Sequence, residues 1–243
     1  MAVAKIAQVA AATALGPDTR LLDLEMADGL PLGFISGQYV IVDSGLILPN
    51  GKAAKRAYSI LSAEAEQRRF QLAVMRIPGG LASGFMHEVS VGQSVSFSGP
   101  WGKFSPPEGA TGASLVLATD TGITAAVGLI QGMRFAHLLG STTFIWLRTT
   151  ADYFLPESVV REYLPRELRE TRIAAIPSIE HPERVPYVRT LLREVMNRTP
   201  LQRAFISGDG TVNYALLDDL VAGGVPATRD SVESFFNMPK KSV

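Results

Sequence analysis

Up to about residue 105, short runs in which β-branched and aromatic residues alternate with polar ones are separated by Gly, Pro and Asn. Thr19–Met26, Gln38–Asp43, Arg56–Ser62, Phe70–Ile77 and Ser94–Ser98 are predicted strands, and Leu48-Pro49-Asn50-Gly51 is a strong turn signal between two of them. The opening stretch, MAVAKIAQVAAATALG, is apolar but broken by Lys5 and Gln8, and it reads as well as a strand as it does as a leader. Five or six short strands in this space predict a small antiparallel barrel or sandwich.

Beyond residue 110 the period changes. Unbroken apolar runs at Ser114–Thr119, Thr142–Leu147, Arg172–Ile176 and Ala204–Ser207 alternate with helical patterns over Ile123–Leu139, Glu157–Leu168, Tyr187–Met196 and Val212–Val221, and Ser231–Phe235 closes the series as a short strand. Strands that are apolar on both faces and alternate with helices predict a parallel, doubly wound sheet covered on both sides. The linker Ser105-Pro106-Pro107-Glu108-Gly109 marks the switch and divides the chain into 1–105 and 110–243.

Composition narrows the chemistry. Lys plus Arg and Asp plus Glu both number 23, so no global charge draws the chain to nucleic acid or to an acidic membrane. Cysteine is absent, which excludes disulfides, thiolate nucleophiles, cysteine-ligated iron–sulfur clusters and zinc–thiolate sites. His87, His137 and His181 lie far apart, without metal-ligand spacing. No run of about 18 apolar residues occurs, so no transmembrane segment is predicted and the cytoplasm is the expected compartment.

Four short motifs could carry function, and each alone also has a purely structural explanation. Arg56-Ala57-Tyr58-Ser59 sits on a predicted strand; it suits an edge strand, or a flavin platform in which Arg pairs with phosphate, Tyr stacks and a hydroxyl meets the ring edge. Gly79-Gly80-Leu81-Ala82-Ser83 opens a short helix; Ser83 can satisfy its first turn, or the glycines and helix N-terminus can receive an anion. Thr119-Asp120-Thr121-Gly122-Ile123-Thr124 follows the first parallel strand, where doubly wound folds take dinucleotides, although G-x-G-x-x-G is missing. Ser207-Gly208-Asp209-Gly210 ends another parallel strand and equally makes a tight turn. Gly128 and Gly132 are expected to pack α-helix against sheet.

In order and spacing these motifs, with Gly99-Pro100-Trp101-Gly102-Lys103-Phe104 and Glu233-Ser234-Phe235-Phe236, resemble the ferredoxin–NADP reductase family from end to end. The resemblance implies a two-domain protein, a six-stranded antiparallel Greek-key β-barrel holding FAD followed by an α/β doubly wound parallel sheet for NADP or NAD. It implies Arg56 on the FAD pyrophosphate, Tyr58 against the isoalloxazine, Ser59 near its N5, Ala57 among the cofactor-binding residues, and the helix from Gly80 to Ser83 on the pyrophosphate. Thr121, Gly122 and Ile123 would lie under the nicotinamide dinucleotide's pyrophosphate and Ser207 and Gly208 would face its nicotinamide, with Thr119, Asp120, Thr124 and Asp209 as further dinucleotide-binding candidates. Glu233 would stand near the flavin. Arg148 and Arg184 are candidates for a 2′-phosphate, while Ile179 occupies a place where NADPH users often have Arg. Tyr58, Ser59, Ser207 and Glu233 are the candidate catalytic residues.

The implied activity is hydride transfer between NAD(P)H and FAD, with single electrons passed to or from a separate ferredoxin, flavodoxin or oxygenase component. The lack of cysteine sets the chain apart from members with a fused iron–sulfur domain. Departures from the family pattern cluster on the nucleotide side: Ser207 for Cys, Asp209 for Pro or Asn, Val212 for Met, Thr119 for Gly and Ala125 for Pro. They motivate an alternative, a non-catalytic flavin- or nucleotide-binding regulatory subunit of a redox complex.

Overall fold

The computed structural model describes residues 3–237. In the first half, strands β1 (Lys5–Ala14), β2 (Thr19–Met26), β3 (Tyr39–Ile47), β4 (Ala53–Ser59), β5 (Arg69–Met75) and β6 (Ser94–Trp101) form one antiparallel sheet in the order β4-β3-β6-β1-β2-β5. Beyond β4 the outer strands meet: Leu61 N donates to Gln71 O at 2.9 Å and Gln71 N donates to Ser62 Oγ at 3.1 Å, curling the sheet into a barrel. Alternation along the strands turns Val40, Val42, Tyr58, Leu72 and Phe97 into a common core, where Phe70 and Phe97 meet edge-on at 5.4 Å. Helix α1 (Leu81–Glu88) plugs this core with Met86.

The second half contains β7 (Ser114–Thr119), α2 (Ile123–Ile130), β8 (Thr142–Arg148), α3 (Glu157–Tyr163), β9 (Glu170–Ala175), α4 (Arg184–Arg198), β10 (Arg203–Asp209), α5 (Gly210–Ala222) and β11 (Val232–Phe236). The strands are parallel, in the order β11-β10-β7-β8-β9. Val116 and Ala118 of β7 pack with α2 and α3 on one face, and Leu115 and Leu117 with α4 and α5 on the other. The chain leaves β7 in one direction and returns to β10 on its other side, so the sheet's topological switch point lies between β7 and β10.

Helix α2 ends at Ile130, short of the expected Leu139, and a 3-10 stretch at Ala136–Ser141 follows. The cause is tertiary. The sequence pattern suggested that Gly128 and Gly132 touch the sheet; they face the first half instead. A β-carbon on Gly128 would lie 2.2 Å from Ile60 O, and one on Gly132 would lie 2.6 Å from Ser36 Cβ. Gln131 Nε2 donates to Leu61 O at 2.7 Å, and Phe104 meets Phe205 edge-on at 5.6 Å. Leu61, Ala73 and Phe104 thus share one core with α2 and β7. Helix α3 also stops early, at Tyr163, because Pro165 disfavours helical backbone at the residue before it.

Candidate functional site

Register places a groove on the outer face of β3 and β4. Tyr39 pairs with Ser59, Ile41 with Ala57 and Asp43 with Lys55, so these side chains stand opposite to the core-facing Val40, Val42 and Tyr58. Strand β11 of the second half forms the facing wall. The resulting groove, about 410 Å³, is lined by Tyr39, Ile41, Lys55, Arg56, Ala57 and Ser59 on one side and Glu233, Ser234 and Phe235 on the other. Asn213 Nδ2 holds the wall by donating to Glu233 O and Ser234 Oγ, both at 3.1 Å. Gly102 (φ 102°) closes one side, where a β-carbon would lie 3.1 Å from the Tyr39 ring and 3.3 Å from Glu233 Oε1. Burial pushes the Glu233 carboxyl up to about 7. The Tyr39 hydroxyl is raised too, first by its own burial and then by the charge of Glu233. Arg56 stands exposed at the rim and donates weakly to Phe235 O at 3.4 Å.

A second groove, about 490 Å³, opens at the start of α1, bordered by Asp18, Arg76, Gly79, Gly80, Gly84 and Glu88. Gly79 makes the turn into the helix at φ 71°, and no side chain caps the first turn of α1. Ser83 does not face this opening for a ligand. Its hydroxyl accepts from Ile77 N and donates to Gly80 O, both at 3.1 Å.

At the switch point the turns after β7 and β10 touch backbone to backbone. A β-carbon on Gly122 would lie 2.4 Å from Ser207 C, and one on Gly208 would lie 2.2 Å from Thr119 O. Ser207 Oγ donates to Gly122 O at 2.9 Å, and Asp209 N donates to Thr119 Oγ1 at 2.8 Å. Above this seam Arg184 spans the crevice, bonded to both Asp120 and Asp209.

Residues 6–105 match the oxidoreductase FAD-binding domain family. Ferredoxin–NADP reductase B of Sorangium cellulosum is 37% identical over 142 residues, covering 58% of this chain and 55% of that protein. The reductase component of propane 2-monooxygenase of Gordonia is 29% identical over 154 residues, or 63% of this chain and 43% of that one. Over these stretches the chain is similar to a ferredoxin–NADP reductase and to an oxygenase reductase component. It spans 35–55% of the length of the first three such relatives. The crystal structure of phthalate dioxygenase reductase superposes with a TM-score of 0.66 at 22% identity over 94% of this chain and 66% of its own. That of Amycolatopsis cytochrome P450 reductase superposes with a TM-score of 0.71 at 20% identity, over 98% and 72%.

Flavin suits the first groove on two observations of this chain. The space between β3–β4 and β11 is bordered by polar groups on an apolar bed, and each half of the chain supplies one of its walls. The ring of Tyr58 packs in the barrel core, and the strand's alternation gives the groove face to Ala57 and Ser59. Tyr39, Ile41 and Lys55 were missed, although counting in twos back from Ser59 across the Asn50-Gly51 hairpin leads to them.

In the second-half crevice the candidate side chains are engaged with one another. Asp120, Thr121, Gly122, Ile123 and Thr124 do form the turn after β7, but Asp120 and Thr124 are buried and Thr124 Oγ1 donates back to Thr121 O at 3.1 Å. Ser207 is fully buried, and its hydroxyl donates to Gly122 O. Arg184 is buried between carboxylates and is not free for a 2′-phosphate. Arg148 is also engaged: it bonds Glu157 Oε2 at 2.5 Å and Ala151 O at 2.7 Å, and lies over the Trp146 ring at 5.0 Å. Among the described residues no group of His, Asp and Glu could hold a metal ion, and no helix is long and apolar enough to cross a membrane.

Proposed function

We propose that this chain is a flavoprotein oxidoreductase that moves electrons, by way of FAD, between NADP or NAD and a separate ferredoxin, flavodoxin or oxygenase component. The observation that carries the reading is the groove shared by the outer face of β3–β4 and by β11, because each half of the chain supplies one wall. Bound FAD supplies the chemistry, exchanging two electrons as a hydride and releasing them singly. The chain's residues hold and tune it. Ile41 and Ala57 give an apolar bed, Ser59 brings a hydroxyl to its edge, and Arg56 at the rim suits a diphosphate. The uncapped N-terminus of α1 beside Gly79 and Gly80 suits another anionic group. Glu233 keeps a proton close to neutral pH, and Phe235 shields the groove from water.

In this reading residues 1–105 carry the flavin, residues 110–243 carry the dinucleotide crevice, and the protein works in the cytoplasm. Relatives named as a ferredoxin–NADP reductase and as oxygenase reductase components support it. The test is the spectrum of the purified protein: a flavin band near ~450 nm that bleaches anaerobically with NADH or NADPH. Colourless protein that takes up no FAD, or a band that neither nucleotide bleaches, rejects the reading. The Arg184 span across the crevice favours a second reading, a regulatory subunit that holds flavin without turning over. Steady turnover with a small artificial acceptor dismisses it.

A further inference from the structure

The crevice between the carboxyl ends of β7 and β10 owes its attraction for anionic dinucleotides to its position and to nearby helix N-termini. In this chain two carboxylates already occupy it. Asp209 caps α5, its Oδ1 accepting from Thr211 N at 3.0 Å. Asp120 sits directly after β7 in left-handed backbone (φ 50°), and its Oδ1 accepts from Thr149 N at 3.0 Å and Thr149 Oγ1 at 2.8 Å. Between them lies Arg184, the first residue of α4. Its Nε donates to Asp209 Oδ2 at 2.8 Å, one terminal nitrogen donates to Pro177 O at 2.6 Å and the other to Asp120 Oδ2. The three side chains are 0–2% exposed. This network ties together the chain just beyond β7, β8 and β9 and the end of β10.

Its charge does not balance. Two carboxylates against one guanidinium leave a surplus negative charge where a pyrophosphate would arrive. Stability alone gives little reason for such a cluster, since apolar residues of similar volume commonly serve a buried position as well or better. We propose that the Asp120–Arg184–Asp209 bridge sets dinucleotide affinity in this chain. A ligand's phosphates gain Arg184 only by displacing a carboxylate from it, and the second carboxylate opposes them. The inference rests on the dinucleotide reading of the crevice made above.

The test is calorimetric titration of the FAD-loaded protein with NAD⁺ and with NADP⁺, comparing the wild type with Asp120→Asn and Asp209→Asn. Each replacement keeps the shape and one acceptor oxygen, for Thr149 or Thr211, while leaving the guanidinium with a single carboxylate. The expected result is a dissociation constant lowered by about tenfold or more for both dinucleotides, the effect of removing one uncompensated charge close to phosphates. Unchanged or higher constants overturn the proposal and leave the bridge a structural tie. If neither variant folds, hydrogen exchange on the wild type decides: saturating NADP⁺ must accelerate exchange of the Thr149 amide as its acceptor is released, and unaltered exchange overturns the proposal. The two readings fail separately. Wild-type flavin bleached by NADH, with variants that bind no tighter, sinks the bridge and keeps the reductase. Variants that tighten while wild-type flavin resists bleaching do the reverse.

Discussion

The half-buried Glu233 and the buried Arg184 are the ionisable side chains on which the reading turns, and they are handled in opposite ways. Glu233 is left to burial alone, which holds its proton up to about 7 against an ordinary value of 4.5. The folded state therefore binds more protons than the unfolded chain between these values, so stability falls as pH rises through that window and the loss is complete above it. We expect Glu233→Gln, neutral at every pH, to melt with the wild type near pH 4.5 and above it at pH 8 (melting temperature by calorimetry). A gap that is constant with pH would refute the assignment. Arg184 is compensated by two carboxylates, so Arg184→Met leaves both buried without a counter-ion; a loss of about 3–5 kcal/mol in denaturant unfolding is expected. Arg56, exposed at the groove rim, contributes little to folding, and Arg56→Ala should weaken FAD retention by about 1.5–3 kcal/mol while leaving the melting temperature of the flavin-free protein unchanged.

Among the elements, α2 joins the halves by lacking side chains where it matters. Gly128→Ala would set a methyl 2.2 Å from Ile60 O, a backbone atom that cannot step aside, so α2 must shift from the barrel; about 1–3 kcal/mol is the expected cost in denaturant midpoint. Gly140→Ala, with nothing within 4 Å of its β-carbon, is the control and should stay within about 0.5 kcal/mol. These contacts also mark the limit of what the sequence could tell. Strands were legible because period-two alternation and unbroken apolar runs are local: Thr19–Met26 and Ser114–Thr119 match β2 and β7 end to end. The early end of α2 was not, because Gln131 and Gly132 look helical until Ser36 and Leu61 from the other half are brought against them. The groove was legible for Arg56, Ser59 and Glu233 as residue types in family order, but not for Tyr39 and Ile41, which enter through cross-strand register. The bridge is invisible in sequence for the same reason: Asp120, Arg184 and Asp209 are separated by 64 and 25 positions and meet only at the sheet's edge.

For the molecule as a whole, two barrel-side facts bear on how it unfolds. The core around α2 and β7 includes Leu61, Ala73 and Phe104 from the first half, and the groove between β3–β4 and β11 takes one wall from each half. Neither half can loosen without exposing part of the other's apolar surface, so the protein should unfold as one cooperative unit despite its two sheets. Its two tryptophans make this measurable, since Trp101 ends β6 in the barrel and is 40% exposed, whereas Trp146 lies fully buried in β8 of the parallel sheet. In Trp101→Phe the emission reports the sheet alone, and subtraction from the wild type isolates the barrel. Coincident denaturant midpoints for the two signals, with flavin released at the same concentration, are the expected outcome. A barrel signal that moves first, while Trp146 stays native, would mean that the shared core is weaker than its composition implies and that the groove loses its β3–β4 wall before the sheet opens.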